Sequence, residues 1–136
     1  RATLQFVAGY QWDLIPPEAQ ETFLTESFQV SAQNNRMGCQ LNGEPIHTGI
    51  RQLYSEGIAA GSIQITGAGK PIILTCDRQT IGGYPKLGAI TRASQDTLAQ
   101  LTPNSTLTFE IISPSQSIEL LRSYYQRIEQ LRLQNI

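Results

Sequence analysis

The sequence predicts a single, mostly β domain whose antiparallel sheet closes into a barrel or a sandwich. Two observations support this class: about seven strand-like segments follow one another along 136 residues, and turns rather than helices join many of them. An apolar content of 40% is enough for a hydrophobic core at this length. We therefore expect one domain over residues 1–136, with short helices and a longer helix at the C-terminus.

The strands are marked by apolar and polar residues that alternate with a period of two. The predicted strands are 4–7, 28–33, 37–41, 62–66, 72–76, 87–91 and 106–112. Asn42-Gly43 follows the third strand and predicts a tight hairpin turn, because both residues tolerate a positive φ. A second hairpin is predicted across 67–71. Its Gly67-Ala68-Gly69-Lys70 run is not a phosphate-binding loop, since Pro71 stands where such a loop has Ser or Thr.

Three helices are predicted. Pro16-Pro17-Glu18-Ala19 begins a short one, with proline and a carboxylate in its first turn. Ser94 is expected to cap a second helix over 95–101. The third runs over about 117–133, where apolar residues recur at helical spacing, and we expect it to pack on the sheet. A coiled coil is disfavoured because three sustained heptads are absent.

Composition excludes several classes of function. Charged residues make up 15% of the chain and the formal net charge is −1, so we expect neither a nucleic-acid nor a membrane partner. No apolar run is long enough to span a bilayer and no secretory signal opens the chain, so the expected location is the cytoplasm. Because a strand begins almost at Arg1, we expect the chain to be half of a longer protein.

Cysteine and histidine offer little chemistry. Cys39 and Cys76 are isolated within strand-like segments, which predicts reduced, buried thiols. His47 is the only histidine, and no spacing of potential ligands suggests a metal site. A Cys–His nucleophile pair that uses His47 with either thiol remains a minor alternative.

Polar clusters in three glycine-containing loops are the candidate site. Arg36, in the first loop, can clamp a carboxylate or phosphate, although a solvated turn explains the same residues. Glu56, in the second loop, is suited to proton transfer if it is partly buried, and an exposed glutamate at a strand end is the alternative. Gln64 lies on the strand that follows.

The third loop, Asp77 to Lys86, is the most promising. Gly82 and Gly83 let backbone amides approach a ligand closely and form an anion-binding nest. Lys86 is one of only two lysines, which makes it a candidate for stabilising negative charge. An ion pair of Asp77 with Lys86 or Arg78 that merely orders the loop is the alternative interpretation.

Together the three loops resemble the C-terminal half of the allophanate hydrolase subunit 2 family. The resemblance is carried by Asn35-Arg36-Met37-Gly38, Ser55-Glu56-Gly57, Gly61-Ser62-Ile63-Gln64 and the run from Asp77 to Lys86, DRQTIGGYPK. Gly9-Tyr10-Gln11-Trp12-Asp13 and Pro71-Ile72-Ile73-Leu74 also fit. This family includes biotin-dependent carboxyltransferase-like proteins, KipA and the C subunit of bacterial 5-oxoprolinase.

The resemblance implies a cyclophilin-like β-barrel and a small amide as substrate. The implied activity is ATP-dependent opening of 5-oxoproline to glutamate, shared with partner A and B subunits. ATP is then needed by the complex, no cofactor is bound by this chain alone, and biotin serves the carboxyltransferase relatives. The expected catalytic residues are Glu56, Asp77 and Lys86, and the expected substrate-binding residues are Arg36, Gln64, Gln79, Thr80, Gly82, Gly83 and Tyr84.

Two other functions stay open at this point. The resemblance equally allows a carboxyltransferase-type domain that moves carboxylate from biotin to urea in a urea carboxylase. It also allows a KipA-like regulatory protein that antagonises a kinase inhibitor through protein contacts with a KipI-like partner. A purely structural role predicts a solvated GGYPK loop with no pocket beneath it.

Overall fold

The computed structural model describes residues 1–34, 38–50, 59–75 and 84–134, and these ranges hold seven strands and three α-helices. The strands are β1 Ala2–Ala8, β2 Phe28–Val30, β3 Gly38–Asn42, β4 Ser62–Ile65, β5 Pro71–Leu74, β6 Lys86–Ile90 and β7 Thr106–Ile112. The helices are α1 Pro17–Thr25, α2 Arg92–Ala99 and α3 Pro114–Gln134, and a 3₁₀ turn spans Tyr10–Leu14. No helix in these described ranges is long and apolar enough to cross a bilayer.

The strands close into a barrel in the order β1, β6, β4, β5, β3, β2 and β7. Six of the seven pairings are antiparallel, and β1 runs parallel to β7, from Ala2 opposite Leu107 to Val7 opposite Ile112. The predicted barrel is therefore confirmed, and the sandwich alternative is excluded. The predicted hairpin between β4 and β5 is also confirmed, and Gly69 in its turn has φ +84°.

The barrel interior holds the core. Its buried strand residues are Leu4, Phe6, Phe28, Val30, Cys39, Leu41, Ile63, Ile65, Ile73, Leu87, Ile90, Leu107 and Phe109. Helix α1, predicted from its prolines, brings Phe23 into this core. The Phe23 ring stacks on Phe109 with centroids 4.3 Å apart and meets Phe6 edge-on at 5.4 Å. An aromatic cluster thus joins α1 to the strands.

The predicted tight turn at Asn42-Gly43 is wrong. Asn42 is the last residue of β3 and pairs with Gln29 of β2, and β3 forms no hairpin with β4, the next described strand. Gly43 does not have a positive φ; a Cβ there would lie 2.8 Å from the Phe28 ring. This glycine is needed for close packing and not for turn geometry.

The predicted cap of α2 is wrong by three residues. Thr91 is the N-cap, and its side chain accepts a hydrogen bond of 3.2 Å from the Ser94 backbone N–H. Ser94 lies inside the helix, where its hydroxyl accepts a bond of 2.9 Å from the backbone N–H of Gln5. The serine therefore joins α2 to β1.

The expected packing of α3 on the sheet is wrong for most of the helix. No residue of α3 is buried. It is attached near its middle, where the Tyr124 hydroxyl donates to Asp96 of α2 at 2.7 Å and accepts from Arg92 Nε at 3.4 Å. The outward side chains of β1 include Thr3 and Gln5, which alternate with the core residues Leu4 and Phe6 and offer α3 little apolar surface.

Candidate functional site

A row of polar side chains is buried on the outer face of the barrel. Ile63 and Ile65 of β4 belong to the core, so Ser62 and Gln64 point to the opposite face. They are nevertheless only 0% and 2% exposed. Polar residues on the outside of a barrel are usually solvated, so this burial marks the outer face of β4 as unusual.

Lys86 lies next to Gln64 on the neighbouring strand. The two residues are Cα partners in the β4–β6 pairing, beside a register irregularity between Ile63 and Gln64. Cross-strand partners share a face of the sheet, so their side chains are neighbours. Lys86 is partly exposed, which leaves its ammonium group able to meet a ligand from solvent.

The 3₁₀ turn supplies a third polar residue. Gln11 is 2% exposed, and its Oε1 accepts a hydrogen bond of 2.6 Å from the Lys86 backbone N–H. Its Nε2 donates to the Tyr10 hydroxyl at 3.1 Å. The turn is held at this position by the Gly9 N–H, which donates to the Leu87 carbonyl at 2.8 Å. Gln11 thus holds the first residue of β6 against the 3₁₀ turn.

Ser62 completes what we call the polar row: Gln11, Ser62, Gln64 and Lys86. Its hydroxyl is fully buried, and no hydrogen-bond partner for it occurs in the described part of the chain. An unsatisfied buried hydroxyl is costly, and such groups in native proteins commonly bond water or a ligand. Ser62 is therefore a group with unused hydrogen-bonding capacity in the row.

A cavity of about 420 Å³ lies at the end of β4, and Ile65 and Pro85, the chain neighbours of Gln64 and Lys86, are in its wall, whereas the four residues of the polar row are not. Its walls come from Ile46, His47, Thr48, Gly49, Ile50, Ile65, Thr66, Gly67, Ala68, Gly69, Tyr84 and Pro85. The backbone N–H of Ile65 donates to the Pro85 carbonyl at 3.0 Å, which fixes Tyr84 and Pro85 beside β4. The size lies within the range of small-molecule pockets.

The described wall of this cavity contains polar groups and no Lys, Arg, Asp or Glu side chain. No carboxylate is among the described residues of its wall, whereas His47 lies in the wall and Lys86 directly follows Pro85. The Thr48 and Thr66 hydroxyl oxygens accept hydrogen bonds from the backbone N–H groups of Ile50 at 3.3 Å and Lys70 at 3.2 Å, and each hydroxyl can still donate one.

The structure describes three of the ten predicted site residues. Gln64 and Lys86 lie side by side, and Tyr84, which is 40% exposed, lies two residues before Lys86 in the cavity wall. The other seven lie outside the described residues; they are Arg36, Glu56, Asp77, Gln79, Thr80, Gly82 and Gly83. Their roles stay predictions.

Sequence reasoning missed two members of the polar row. Ser62 shares the strand face of Gln64, so the same alternation could have identified it. Gln11 lies in the Gly9–Asp13 segment that carried part of the resemblance, yet no pattern in the sequence links it to Lys86. The bond between them joins positions 75 residues apart.

Cys39 and His47 line different cavities, and the alternative nucleophile pair gains no support. Cys39 is buried beside Ile73 and Leu98 in a separate cavity of about 350 Å³. Burial raises the pKa of its thiol, and the hydrogen bond from Asn34 offsets this only in part. Cys76 lies outside the described residues. Among the residues that are described, no group of three or more His, Cys, Asp or Glu is placed to hold a metal, and the absence of a metal stays a prediction.

Comparison with known families decides where the chain belongs. Residues 1–111 match the carboxyltransferase domain family, subdomain A and B. The chain belongs to this family. The resemblance predicted from the loop motifs is therefore confirmed.

Proteins similar to the chain include two kinds with different names. The chain is 35% identical over 135 residues to the C subunit of 5-oxoprolinase from Escherichia coli, a match that covers 97% of this chain and 44% of that protein. The corresponding protein of Haemophilus influenzae is 28% identical over 135 residues, with 97% and 43% covered. The chain thus spans less than half the length of these relatives.

The second group carries the name urea amidolyase. The protein of Saccharomyces cerevisiae is 28% identical over 130 residues, which cover 88% of this chain and 7% of that protein. The crystal structure of the K. lactis urea amidolyase superposes with a TM-score of 0.82 at 25% identity and covers 94% of this chain and 8% of that one. The barrel described above is thus shared with the K. lactis urea amidolyase.

Proposed function

We propose that this domain is part of a 5-oxoprolinase, in which it binds the small cyclic amide 5-oxoproline for ATP-dependent opening to glutamate. The observation that carries the proposal is the buried polar row on β4 and β6, in a chain that is 35% identical to the C subunit of the Escherichia coli 5-oxoprolinase over 97% of its own length. Because the chain spans 44% of that relative, activity is proposed for the complete protein with its partner subunits.

The polar row suits the chemistry of this substrate. 5-Oxoproline carries one lactam amide and one carboxylate, so it needs hydrogen-bond donors and acceptors together with a positive charge. Lys86 supplies the charge and can stabilise a carboxylate or a developing oxyanion. Gln64 and Ser62 supply amide and hydroxyl groups on the same face of the sheet.

Residues outside the described ranges enter the proposal through the family resemblance. Glu56 and Asp77 would transfer protons, as carboxylates near a substrate amide can. The remaining predicted ligands, Arg36, Gln79, Thr80, Gly82 and Gly83, would hold the substrate together with Tyr84. The A and B subunits would supply ATP binding, and no cofactor is assigned to this chain.

The second candidate is a carboxyltransferase-type domain that moves carboxylate from biotin to urea. It is favoured by the family description and by the K. lactis urea amidolyase structure, at a TM-score of 0.82. Carboxybiotin and urea also combine an anionic carboxylate with amide groups, so the same polar row would serve both substrates. A KipA-like regulatory function with a KipI-like partner stays a third hypothesis, and no feature of the described residues favours it.

An assay of the complete protein with its partner subunits separates the two enzyme hypotheses. One arm measures ATP-dependent formation of glutamate from 5-oxoproline, and the other measures carboxylation of urea with a biotin carrier protein. We expect activity in the first arm only. Activity in the second arm alone would overturn the proposal, and failure of both would leave no enzymatic function for the site.

Lys86→Ala tests the site itself. We expect it to lower kcat/KM for 5-oxoproline by about 100-fold or more, because removal of a charge that stabilises an oxyanion costs about this much. Lys70→Ala is the matched control, since Lys70 is the other lysine and its exposed ammonium group donates at 3.3 Å to Asn42, the last residue of β3. Equal kcat/KM values for both variants would show that the charge of Lys86 has no specific role in the reaction.

A further inference from the structure

The cavity of about 420 Å³ at the end of β4 is separate from the polar row. It is large enough for a small molecule, and none of the four polar-row residues lies in its described wall. The proposed function places 5-oxoproline on the polar row and leaves this cavity without a ligand. The cavity is therefore a second place in the barrel where a ligand can bind.

Hydrogen bonds between separate segments fix the shape of the cavity. The backbone N–H of Ile46 donates to the Gly69 carbonyl at 2.9 Å, which ties the segment that begins at Ile46 to the turn between β4 and β5. The Ile65 N–H donates to the Pro85 carbonyl at 3.0 Å and ties β4 to the residue before β6. A Cβ on Gly69 would lie 2.9 Å from the side chain of Pro45, so these segments are in close contact. A preformed cavity of this kind needs little ordering when a ligand binds.

Two threonine hydroxyls in the wall have protons to donate. Thr48, which is 9% exposed, and the half-buried Thr66 each accept a backbone hydrogen bond. In the described part of the chain neither hydroxyl donates to another group. A buried donor without an acceptor is costly, so a ligand that displaces water from these hydroxyls must bring an acceptor of its own. A carbonyl oxygen meets this need.

The rest of the wall disfavours an ion. Its described residues include no Lys, Arg, Asp or Glu, so a charge buried there would find no counter-ion among them. Ile46 and Ile65, which are 2% and 1% exposed, offer apolar surface instead. His47 and Tyr84 also lie in the wall, and a neutral imidazole or a phenol oxygen can accept a hydrogen bond from an N–H group. The wall thus suits a molecule with a carbonyl, an N–H and an apolar body, but no charge.

We propose that this cavity binds a small uncharged amide. The carbonyl oxygen of the amide accepts a hydrogen bond from the Thr48 hydroxyl, and the apolar part of the molecule lies against Ile46 and Ile65. The inference stands on the cavity alone and does not depend on the proposed enzymatic function. A suitable probe is 5-oxoprolinamide, because it keeps the ring of 5-oxoproline and replaces the carboxylate with a carboxamide.

The probe and its charged counterpart test the ligand class. Isothermal titration calorimetry of the complete protein should detect binding of 5-oxoprolinamide. The comparison with 5-oxoproline is made in the Lys86→Ala variant, which lacks the lysine proposed to bind its carboxylate on the polar row. There 5-oxoproline should bind about tenfold more weakly than the amide, because its carboxylate would be buried without a counter-ion. No binding of the amide at millimolar concentrations, or equal affinities for the two molecules, would overturn the proposal.

Variants of the hydroxyl groups locate the ligand. Thr48→Val removes the donor and should raise the dissociation constant of the amide about threefold to tenfold, whereas Thr48→Ser should keep it within about twofold. Thr97→Val, at an exposed hydroxyl of α2, is the matched control and should leave the constant unchanged. Thr66→Val provides a second test should circular dichroism show that Thr48→Val does not fold. Unchanged affinity in the folded threonine variant, or an equal loss in Lys86→Ala, would place the amide outside this cavity and overturn the proposal, while the proposed function would be untouched.

Discussion

The side-chain oxygen of Gln11 accepts a hydrogen bond of 2.6 Å from the backbone N–H of Lys86. This bond joins the 3₁₀ turn to the first residue of β6, so the residue that positions Lys86 comes from the opposite half of the chain. Because Gln11 is almost fully buried, water cannot easily replace it as the acceptor.

Gln11→Met should lower the free energy of unfolding by about 1–3 kcal/mol, because the variant keeps the side-chain volume and leaves the Lys86 N–H without its acceptor. Urea denaturation followed by circular dichroism measures the change. Gln29→Met on the exposed outer face of β2 is the matched control and should alter stability by less than about 0.5 kcal/mol. Similar losses of stability in both variants would mean that the Gln11 hydrogen bond contributes no more than an exposed glutamine side chain does.

Gly88 is the residue that lets β1 and β6 approach each other. It pairs with Ala8, and a Cβ at this position would overlap the backbone carbonyl of Val7. Gly88→Ala should therefore cost about 3 kcal/mol or more, as expected for overpacking against a backbone that cannot move aside. Thermal unfolding is the measurement.

Gly67→Ala is the control for Gly88→Ala, since nothing lies within 4 Å of a Cβ at position 67. Its free energy of unfolding should lie within about 1 kcal/mol of the wild-type value. Should Gly88→Ala be equally mild, the strands must be able to separate locally, and the close approach would not be needed for the barrel.

Phe23 ties α1 to the barrel through the aromatic cluster with Phe6, Phe28 and Phe109. Phe23→Ala should cost about 3–5 kcal/mol, because a fully buried ring is removed and the rigid strands cannot fill the cavity. Leu14→Ala, at a side chain that is 61% exposed, is the comparison and should have little effect. Equal urea midpoints for the two variants would contradict the assignment of Phe23 to the core.

The barrel could be predicted because its signal is local. Residues such as Ile63 and Ile65 alternate with Ser62 and Gln64, and this period identifies a strand without any knowledge of its neighbours. Strand order carries no such signal. That β4 lies between β5 and β6 decides that Gln64 faces Lys86, and only the closed sheet reveals it.

Predictions were wrong at two residues whose type suits both a local role and a tertiary contact. Gly43 fits a hairpin turn by composition, yet its absent side chain makes room for Phe28. Ser94 fits an N-cap, yet Thr91 takes that position and Ser94 bonds to β1. In both cases a tertiary contact, which single-sequence patterns do not contain, determines the outcome.

Cys39 should titrate above its ordinary pKa of 9.0, because burial disfavours the thiolate and the Asn34 bond compensates only in part. In a Cys76→Ser variant it is the single thiol of the chain. The rate of alkylation by iodoacetamide, measured from about pH 7 to about pH 11, gives its pKa directly. A midpoint at or below 9.0 would show that the thiol is solvated or electrostatically activated, contrary to its burial.

The same raised pKa predicts how the stability depends on pH. The folded state keeps the Cys39 proton to a higher pH than the unfolded state does, so this contribution to stability is fully present below the unfolded pKa near 9.0. It is lost as the pH rises from there through the folded pKa. Free energies of unfolding in urea should therefore fall more steeply above about pH 9 in the wild-type protein than in Cys39→Ala, which lacks the titrating group. Parallel curves for the two proteins would mean that the pKa of Cys39 is the same in both states.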